Sequence, residues 1–126
     1  MTGIRVLIVD DTAQVRQDLH TVLLLAAKTL GASITMVGEA KNGQEAVEQV
    51  RALRPDVVLM DLEMPVMDGY TATRQIKTDQ PGIRVIALTV HGSPAAREKA
   101  LQCGVDKVII KGVPVAEIIR SIANHK

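Results

Sequence analysis

The stretch PDVVLMDLEMPVMDG, from Pro55 to Gly69, places an unbroken apolar run directly before an acidic residue, Asp61. The run Val57–Met60 lacks the alternation of apolar and polar residues that is typical of a strand with one solvated face. We therefore predict a strand at Asp56–Met60, opened by Pro55, that is covered on both faces. The Asp68-Gly69 turn signal follows, and Thr71–Lys77 is predicted to be a helix.

Four further apolar runs of strand length lie along the chain, with helical patterns between them. The predicted strands are Ile4–Val9, Ser33–Gly38, Ile83–Leu88 and Lys107–Ile110. After Asp11, an apolar stripe with spacings of three and four residues predicts the first helix. Further helix starts are indicated by Asn42 with Glu45 three residues on, by Ser93-Pro94 and by Pro114.

The resulting order βαβαβαβαβα predicts an α/β fold that occupies one domain, residues 1–126. Because crossovers between parallel strands are right-handed, this order forms an open, doubly wound sheet of five parallel strands with helices on both faces. In such sheets, ligands bind outside the carboxyl ends of the strands, where the strand order switches. A functional site is therefore expected at that edge.

Polar residues follow four of the five predicted strands. Asp10 and Asp11 follow the first, Asp61 the third, Thr89 the fourth and Lys111 the fifth. Clustered carboxylates repel one another, and a hard divalent cation such as Mg²⁺ relieves that repulsion. Mg²⁺ commonly shares its coordination with phosphate, and a carboxylate can attack phosphorus. The pattern therefore predicts a phosphoryl acceptor at Asp61, with Lys111 and Thr89 contacting the phosphoryl oxygens.

Each of these residues also has an ordinary structural explanation. Asp10-Asp11 would suit a helix cap, Asp61 a turn, Thr89 the end of a strand and Lys111 a solvated surface. The functional interpretation rests on their joint occurrence at successive strand ends along one edge. His91, two residues after Thr89, is a further candidate for the rim of the pocket.

Composition narrows the function classes. With one Tyr and no Phe or Trp, the chain lacks the aromatic platforms that single-stranded nucleic acids stack on. Its net charge of +1 comes without a cluster of Lys or Arg, so no nucleic-acid surface is predicted.

The single cysteine, Cys103, suits a cytoplasmic location and is predicted to be a buried core residue. No signal peptide or membrane span is predicted, and Thr21–Ala27 is expected to form a well-buried helix.

In this order and spacing, the motifs resemble the receiver domain of response regulators, the phosphorylated partners of sensor histidine kinases. The matching pieces are VLIVDD (Val6–Asp11), GEAKNGQEAVE (Gly38–Glu48), PDVVLMDLEMPVMDG (Pro55–Gly69), ALTVHG (Ala87–Gly92) and GVDKVIIKG (Gly104–Gly112). The resemblance covers essentially the whole chain and implies a flavodoxin-like (βα)5 fold. It also implies a two-component signalling domain that catalyses its own phosphorylation and dephosphorylation, rather than an enzyme.

The resemblance implies a role for each acidic residue. Asp61 matches the phosphoacceptor, and it would add its own carboxylate oxygen to a bound Mg²⁺. Asp11 matches the residue that ligates the metal directly, and Asp10 the one that acts largely through a bound water. Glu63 matches the position that ligates through its backbone carbonyl.

The switch residues match the family in part. Thr89 matches the switch hydroxyl and Lys111 the lysine that pairs with the phosphate. Receivers usually carry Tyr or Phe three residues before that lysine, where this chain has Val108. In the family, that ring rotates inward as the threonine follows the phosphate, and valine has no ring to move.

The segment from Asp11 to Gly38 is a second departure. It is longer than in the family by about four residues, roughly one turn of helix. Leu23–Leu30 are expected either to extend the first helix or to lengthen the loop after it. Either outcome would change the surface offered to a partner or to a second copy.

The implied partners are a sensor histidine kinase or a phosphotransfer protein. A homodimer through the fourth and fifth helical faces is a further candidate, although the charge pattern gives it no support. No membrane partner is expected. DNA would be contacted only through an output domain absent from this chain, by analogy with receivers joined to helix-turn-helix domains.

Two other classes of protein remain as alternatives. A phosphatase of the haloacid-dehalogenase type also uses Asp and Mg²⁺, but its Asp-x-Asp pattern follows the first strand, where this chain has Asp10-Asp11-Thr12. A non-phosphorylated interaction module with a receiver fold is the second alternative, and Val108 is the feature that favours it.

Overall fold

Five strands alternate with five helices in the computed structural model, which describes residues 3–90 and 92–123. The strands are β1 (Ile4–Val9), β2 (Ile34–Ala40), β3 (Val57–Asp61), β4 (Arg84–Thr89) and β5 (Lys107–Ile110). The helices are α1 (Ala13–Leu30), α2 (Gly43–Leu53), α3 (Gly69–Asp79), α4 (Pro94–Gln102) and α5 (Val115–Ala123). The predicted βα order is confirmed. The largest shift of a strand boundary is in β2, which ends at Ala40 rather than at Gly38.

All five strands run parallel in one sheet, in the order β2-β1-β3-β4-β5. This is the flavodoxin-like order of a doubly wound sheet, which confirms the predicted fold class. The chain moves outward from β1 to β2 and then crosses back to β3 on the other side of β1. The carboxyl ends of β1 and β3 therefore flank the switch in strand order.

The sheet has an apolar core on each face, because successive side chains of a strand point to opposite sides. Leu7 and Val9 of β1 face a cluster that includes residues of α2, α3 and α4. Val6 and Ile8 face a second cluster that includes residues of α1 and α5. All residues of β3 are buried. The unbroken apolar runs of the sequence are thus explained by burial on both sides.

Three helices begin at capping side chains, of which the sequence indicates Asn42 and Ser93 as caps and Asp68 only as part of a turn. The side chain of Asn42 accepts a hydrogen bond from the backbone N–H of Glu45 at the start of α2. Asp68 caps α3 in the same way, so this helix begins two residues before the predicted Thr71. Ser93 caps α4, with Pro94 as its first residue. These caps fix where the chain leaves each loop near the carboxyl edge of the sheet.

Helix α1 extends to Leu30 and is capped by Gly31, which has a left-handed φ of 73°. Of the two outcomes expected for Leu23–Leu30, the longer helix is therefore found. The expectation that Thr21–Ala27 is well buried is wrong. Leu23 and Ala27 are buried, but three neighbours are exposed: Val22 (44%), Leu24 (39%) and Leu25 (64%). Successive helical residues are about 100° apart, so a run of leucines cannot all face the sheet.

Two further features are the burial of the cysteine and the length and hydrophobicity of the helices. Cys103 is a free and buried cysteine, as the sequence predicts. In the part of the chain that the structure describes, no helix has both the length and the apolar character needed to cross a membrane.

The buried and the exposed face of α1 predict different effects for the replacement of a leucine by alanine. Leu23→Ala removes a side chain with no exposed surface and should lower the free energy of unfolding by about 2–5 kcal/mol. Leu25→Ala, at a position that is 64% exposed, should change it by no more than about 0.5 kcal/mol. Urea unfolding of the two variants measures both values. Equal losses would contradict the orientation of α1.

Candidate functional site

Three carboxylates meet at the switch in strand order. Asp10 and Asp11 follow β1, and Asp61 is the last residue of β3. One carboxylate oxygen from each lies within 4.8 Å of the others. Asp10 and Asp61 are buried, whereas Asp11 is exposed. The structure thus brings together the acidic residues that the sequence places at separate strand ends.

The buried carboxylate of Asp10 is held from two sides. Its Oδ1 accepts a hydrogen bond of 2.9 Å from the backbone N–H of Thr12. Its Oδ2 accepts one of 3.2 Å from the Nζ of Lys111. The same Nζ lies 4.0 Å from the Oδ1 of Asp61. The ammonium group of Lys111 therefore lies between the carboxylates that follow β1 and β3.

Lys111 and Thr89 reach this edge through adjacent strands. Thr89 is the buried last residue of β4 and is the register partner of Ile110 at the end of β5. The backbone N–H of Lys111 donates a hydrogen bond of 2.8 Å to the carbonyl oxygen of Thr89. The two residues predicted to contact phosphoryl oxygens are thus joined directly through the main chain.

The loop between β3 and α3 packs closely against its surroundings. The N–H of Gly69 donates to the carbonyl of Leu62, and the N–H of Gly43 donates to that of Met67. A Cβ atom on either glycine would run into backbone atoms of this region. Val66 has a positive φ of 70° and is 84% exposed, an uncommon and strained conformation for a β-branched residue. The loop beside Asp61 is therefore fixed by close backbone contacts.

Glu63 contributes to the site through its main chain. Its backbone N–H donates a hydrogen bond of 3.2 Å to the Oδ1 of Asp61, while its side chain is exposed. This places the Glu63 backbone next to the predicted acceptor.

Burial raises the pKa of Asp61 above its ordinary value. The N–H of Glu63 and the ammonium of Lys111 favour the charged form and oppose this shift, but the negative charges of Asp10 and Asp11 add to it. The pocket is therefore short of positive charge. Its donors are hard carboxylate oxygens, which fit a divalent cation such as Mg²⁺.

Val108, at the usual position of the family's aromatic residue, is buried in the cluster on the α4 side of the sheet. Its register partner in β4 is Ala87. A small aliphatic side chain thus occupies the position at which the family usually has an aromatic ring that rotates inward. His91, the candidate for the rim of the pocket, lies outside the described residues.

The sequence interpretation missed Arg16 and Glu39. Arg16 of α1 donates from Nη1 to the carbonyl oxygen of Asp10 at 2.6 Å and from Nε to Glu39 of β2 at 2.8 Å. An arginine on the first turns of the helix after Asp10-Asp11 was the only signal available. Glu39 lay beyond the predicted end of the second strand.

Comparison with known proteins gives concordant matches. A family model described as the response regulator receiver domain matches residues 6–123. The response regulator protein VraR of Staphylococcus saprophyticus is 40% identical over 98% of this chain, which covers 58% of VraR. The signal receiver domain of the NarL response regulator from Mycobacterium tuberculosis has a TM-score of 0.87 at 31% identity, covering 97% of this chain and 94% of that one. A chain of the CheX–CheY–BeF3–Mg²⁺ complex from Borrelia burgdorferi has a TM-score of 0.78 at 27% identity, covering 96% and 87%.

The fold, the acidic pocket and these matches define a receiver module of two-component signalling. The chain belongs to the response regulator receiver domain family. This assignment decides against the haloacid-dehalogenase-type phosphatase. The chain spans just over half the length of VraR, so the output of a longer protein is a separate question.

The raised pKa of Asp61 predicts that Asp61→Asn stabilises the metal-free protein near neutral pH. A carboxyl with a raised folded pKa binds more protons when folded than when unfolded, so its burial costs stability as pH rises through that window. Asn removes the charge at similar size and should raise Tm by roughly 2–5 °C. The gain should disappear in acid, below the unfolded pKa, where Asp61 is protonated in both states.

Thermal unfolding with a chelator present, measured across pH, checks this prediction. Asp18→Asn, at an exposed carboxylate on α1, is the matched control and should show no comparable gain. A gain for Asp61→Asn that does not depend on pH would contradict the electrostatic explanation.

Proposed function

We propose that Asp61 accepts a phosphoryl group from a sensor histidine kinase or a phosphotransfer protein, in a reaction that the pocket itself catalyses. The observation that carries this proposal is the position of its carboxylate, which lies beside two further carboxylates and 4.0 Å from the ammonium of Lys111. Membership of the receiver family supports it. So does the structural similarity to a chain of the Borrelia burgdorferi complex, in which CheX and CheY occur together with BeF3 and Mg²⁺.

The proposed Mg²⁺ site consists of the carboxylates of Asp10, Asp11 and Asp61 and the backbone carbonyl of Glu63, with Asp10 acting largely through a bound water. The grouping of the three carboxylates supports this set, as does the hydrogen bond that keeps the Glu63 backbone next to Asp61. When bound, Mg²⁺ would offset negative charge on the carboxylates and on the phosphoryl oxygens. Asp10 also anchors Lys111 before the phosphoryl group arrives.

In the proposed transfer, a carboxylate oxygen of Asp61 attacks the phosphorus of a phosphohistidine in line with the bond that breaks. The new O–P bond forms as the P–N bond breaks, and the imidazole nitrogen leaves with the electron pair. Lys111 exchanges its bond to Asp10 for one to a phosphoryl oxygen, and the Thr89 hydroxyl donates to another. Dephosphorylation is the attack of water on the same phosphorus, which releases inorganic phosphate and restores the carboxylate.

The phosphoryl group is proposed to change the surface formed by α4 and β5, because Thr89 precedes the connection to α4 and Lys111 follows β5. That surface would then bind a partner, or a second copy through the fourth and fifth helical faces.

Residues 1–126 are proposed to form one receiver domain, and DNA would be reached only through a separate output domain. The single buried thiol, Cys103, supports a cytoplasmic location.

Phosphorylation by acetyl phosphate tests the proposal. With Mg²⁺ present, intact-mass measurement should show one added phosphoryl group on the wild-type chain and none on Asp61→Ala. Lys111→Met should slow the reaction by roughly 100-fold, because it removes the ammonium that stabilises developing charge. Asp18→Ala, on the exposed face of α1, should react like the wild type.

Two results would contradict the proposal. An adduct that persists in Asp61→Ala would place the acceptor elsewhere. The absence of any Mg²⁺-dependent adduct on a folded wild-type chain would favour the non-phosphorylated interaction module.

A further inference from the structure

Arg16 connects two neighbouring strand ends at the edge of the acidic pocket. Its Nη1 donates to the carbonyl oxygen of Asp10 at 2.6 Å, and its Nε donates to the Oε1 of Glu39 at 2.8 Å. The Arg16 side chain is only 16% exposed. The guanidinium is thus held between the backbone that follows β1 and a carboxylate of β2.

The carbonyl of Asp10 belongs to the peptide group that leads into Asp11. Because a peptide group is planar, a hydrogen bond that fixes its oxygen also fixes the direction in which the chain enters Asp11. The Asp10 carboxylate has two partners of its own, Thr12 and Lys111. The exposed Asp11 carboxylate has no hydrogen-bond partner among residues 3–90 and 92–123. The position of Asp11 therefore depends on its backbone.

We propose that Arg16 is a positioning residue for the metal site, acting on Asp11 through the Asp10–Asp11 peptide, and that Glu39 holds Arg16 in place. This inference rests on the proposed Mg²⁺ site. Arginine suits the task because its planar fork donates to a carbonyl and to a carboxylate at once. Glu39 also balances the positive charge of Arg16, which would otherwise oppose a cation in the pocket.

A single substitution of Arg16 would mix two effects. Loss of the hydrogen bond to Asp10 would weaken metal binding, whereas the unpaired Glu39 would add negative charge and strengthen it. The double variant Arg16→Met/Glu39→Gln removes one charge of each sign and leaves the net charge unchanged. It isolates the positioning effect.

The matched control is the ion pair between Arg51 of α2 and Asp79 of α3. Arg51 donates from two nitrogens to the Oδ2 of Asp79, at 2.8 and 2.9 Å. Neither residue belongs to the acidic pocket. The double variant Arg51→Met/Asp79→Asn therefore removes a comparable pair without touching the site.

Calorimetric titration with Mg²⁺ alone measures the Kd of the wild-type chain and of each variant. The Arg16→Met/Glu39→Gln variant should bind Mg²⁺ about 10-fold more weakly than wild type, as expected when a group that orients a ligand is lost. The Arg51→Met/Asp79→Asn variant should keep the wild-type Kd. Phosphorylation by acetyl phosphate should be slow in the Arg16 double variant at low Mg²⁺ and should return to the wild-type rate at saturating Mg²⁺.

The outcomes separate this inference from the proposed function. If wild type itself binds no Mg²⁺, the proposed metal site fails. If wild type binds and the Arg16 double variant has the same Kd, or the control loses as much affinity, the positioning role is overturned. A rate that stays low at saturating Mg²⁺ also overturns it.

A second variant guards against loss of folding. If circular dichroism shows that the double variant is unfolded, Arg16→Lys replaces it, since lysine keeps the charge but loses the fork. Its Kd should rise several-fold, and an unchanged Kd would overturn the inference.

Discussion

Repulsion among three carboxylates at the ends of β1 and β3 is the constraint on which the rest of the site depends. Their oxygens lie within 4.8 Å of one another, and burial makes the charge on Asp61 costly. The surroundings offset part of this cost through the ammonium of Lys111 and the backbone N–H groups of Thr12 and Glu63. The negative charge that is not offset favours the binding of a cation. A bound cation would also stabilise the negative charge of the phosphoryl group in the proposed reaction.

The strand-end residues could be predicted because two simple rules act on them. Residues buried on both faces give unbroken apolar runs, and parallel strands share one carboxyl edge. From these rules Asp10, Asp11, Asp61, Thr89 and Lys111 are placed together without any knowledge of side-chain contacts. Their hydrogen bonds could not be predicted from the same rules. That Lys111 bonds to Asp10 and lies farther from Asp61 depends on rotamers that a sequence does not show.

Arg16 and Glu39 could not be predicted for a related reason. The pairing of β1 with β2 shifts register between Val6 and Leu7, and this shift sets Glu39 opposite Ile8. A shift of one residue moves every later side chain of a strand to the other face. The contact between Arg16 and Glu39 thus depends on an irregularity that an apolar pattern does not record. The burial of α1 was misjudged because its apolar residues surround the helix, and only the sheet determines which of them are covered.

The complete burial of β3 has a consequence for the time over which the site keeps its shape. Amide hydrogens in a central strand covered on both faces exchange with solvent mainly through unfolding of the whole domain, whereas loops open locally and often. Asp61 belongs to such a strand, while Asp11 lies in a loop held by the side chains of Asp10 and Arg16. The proposed acceptor is therefore anchored to the slowest-opening part of the molecule, and local fluctuations reach the pocket first through the segment that follows β1.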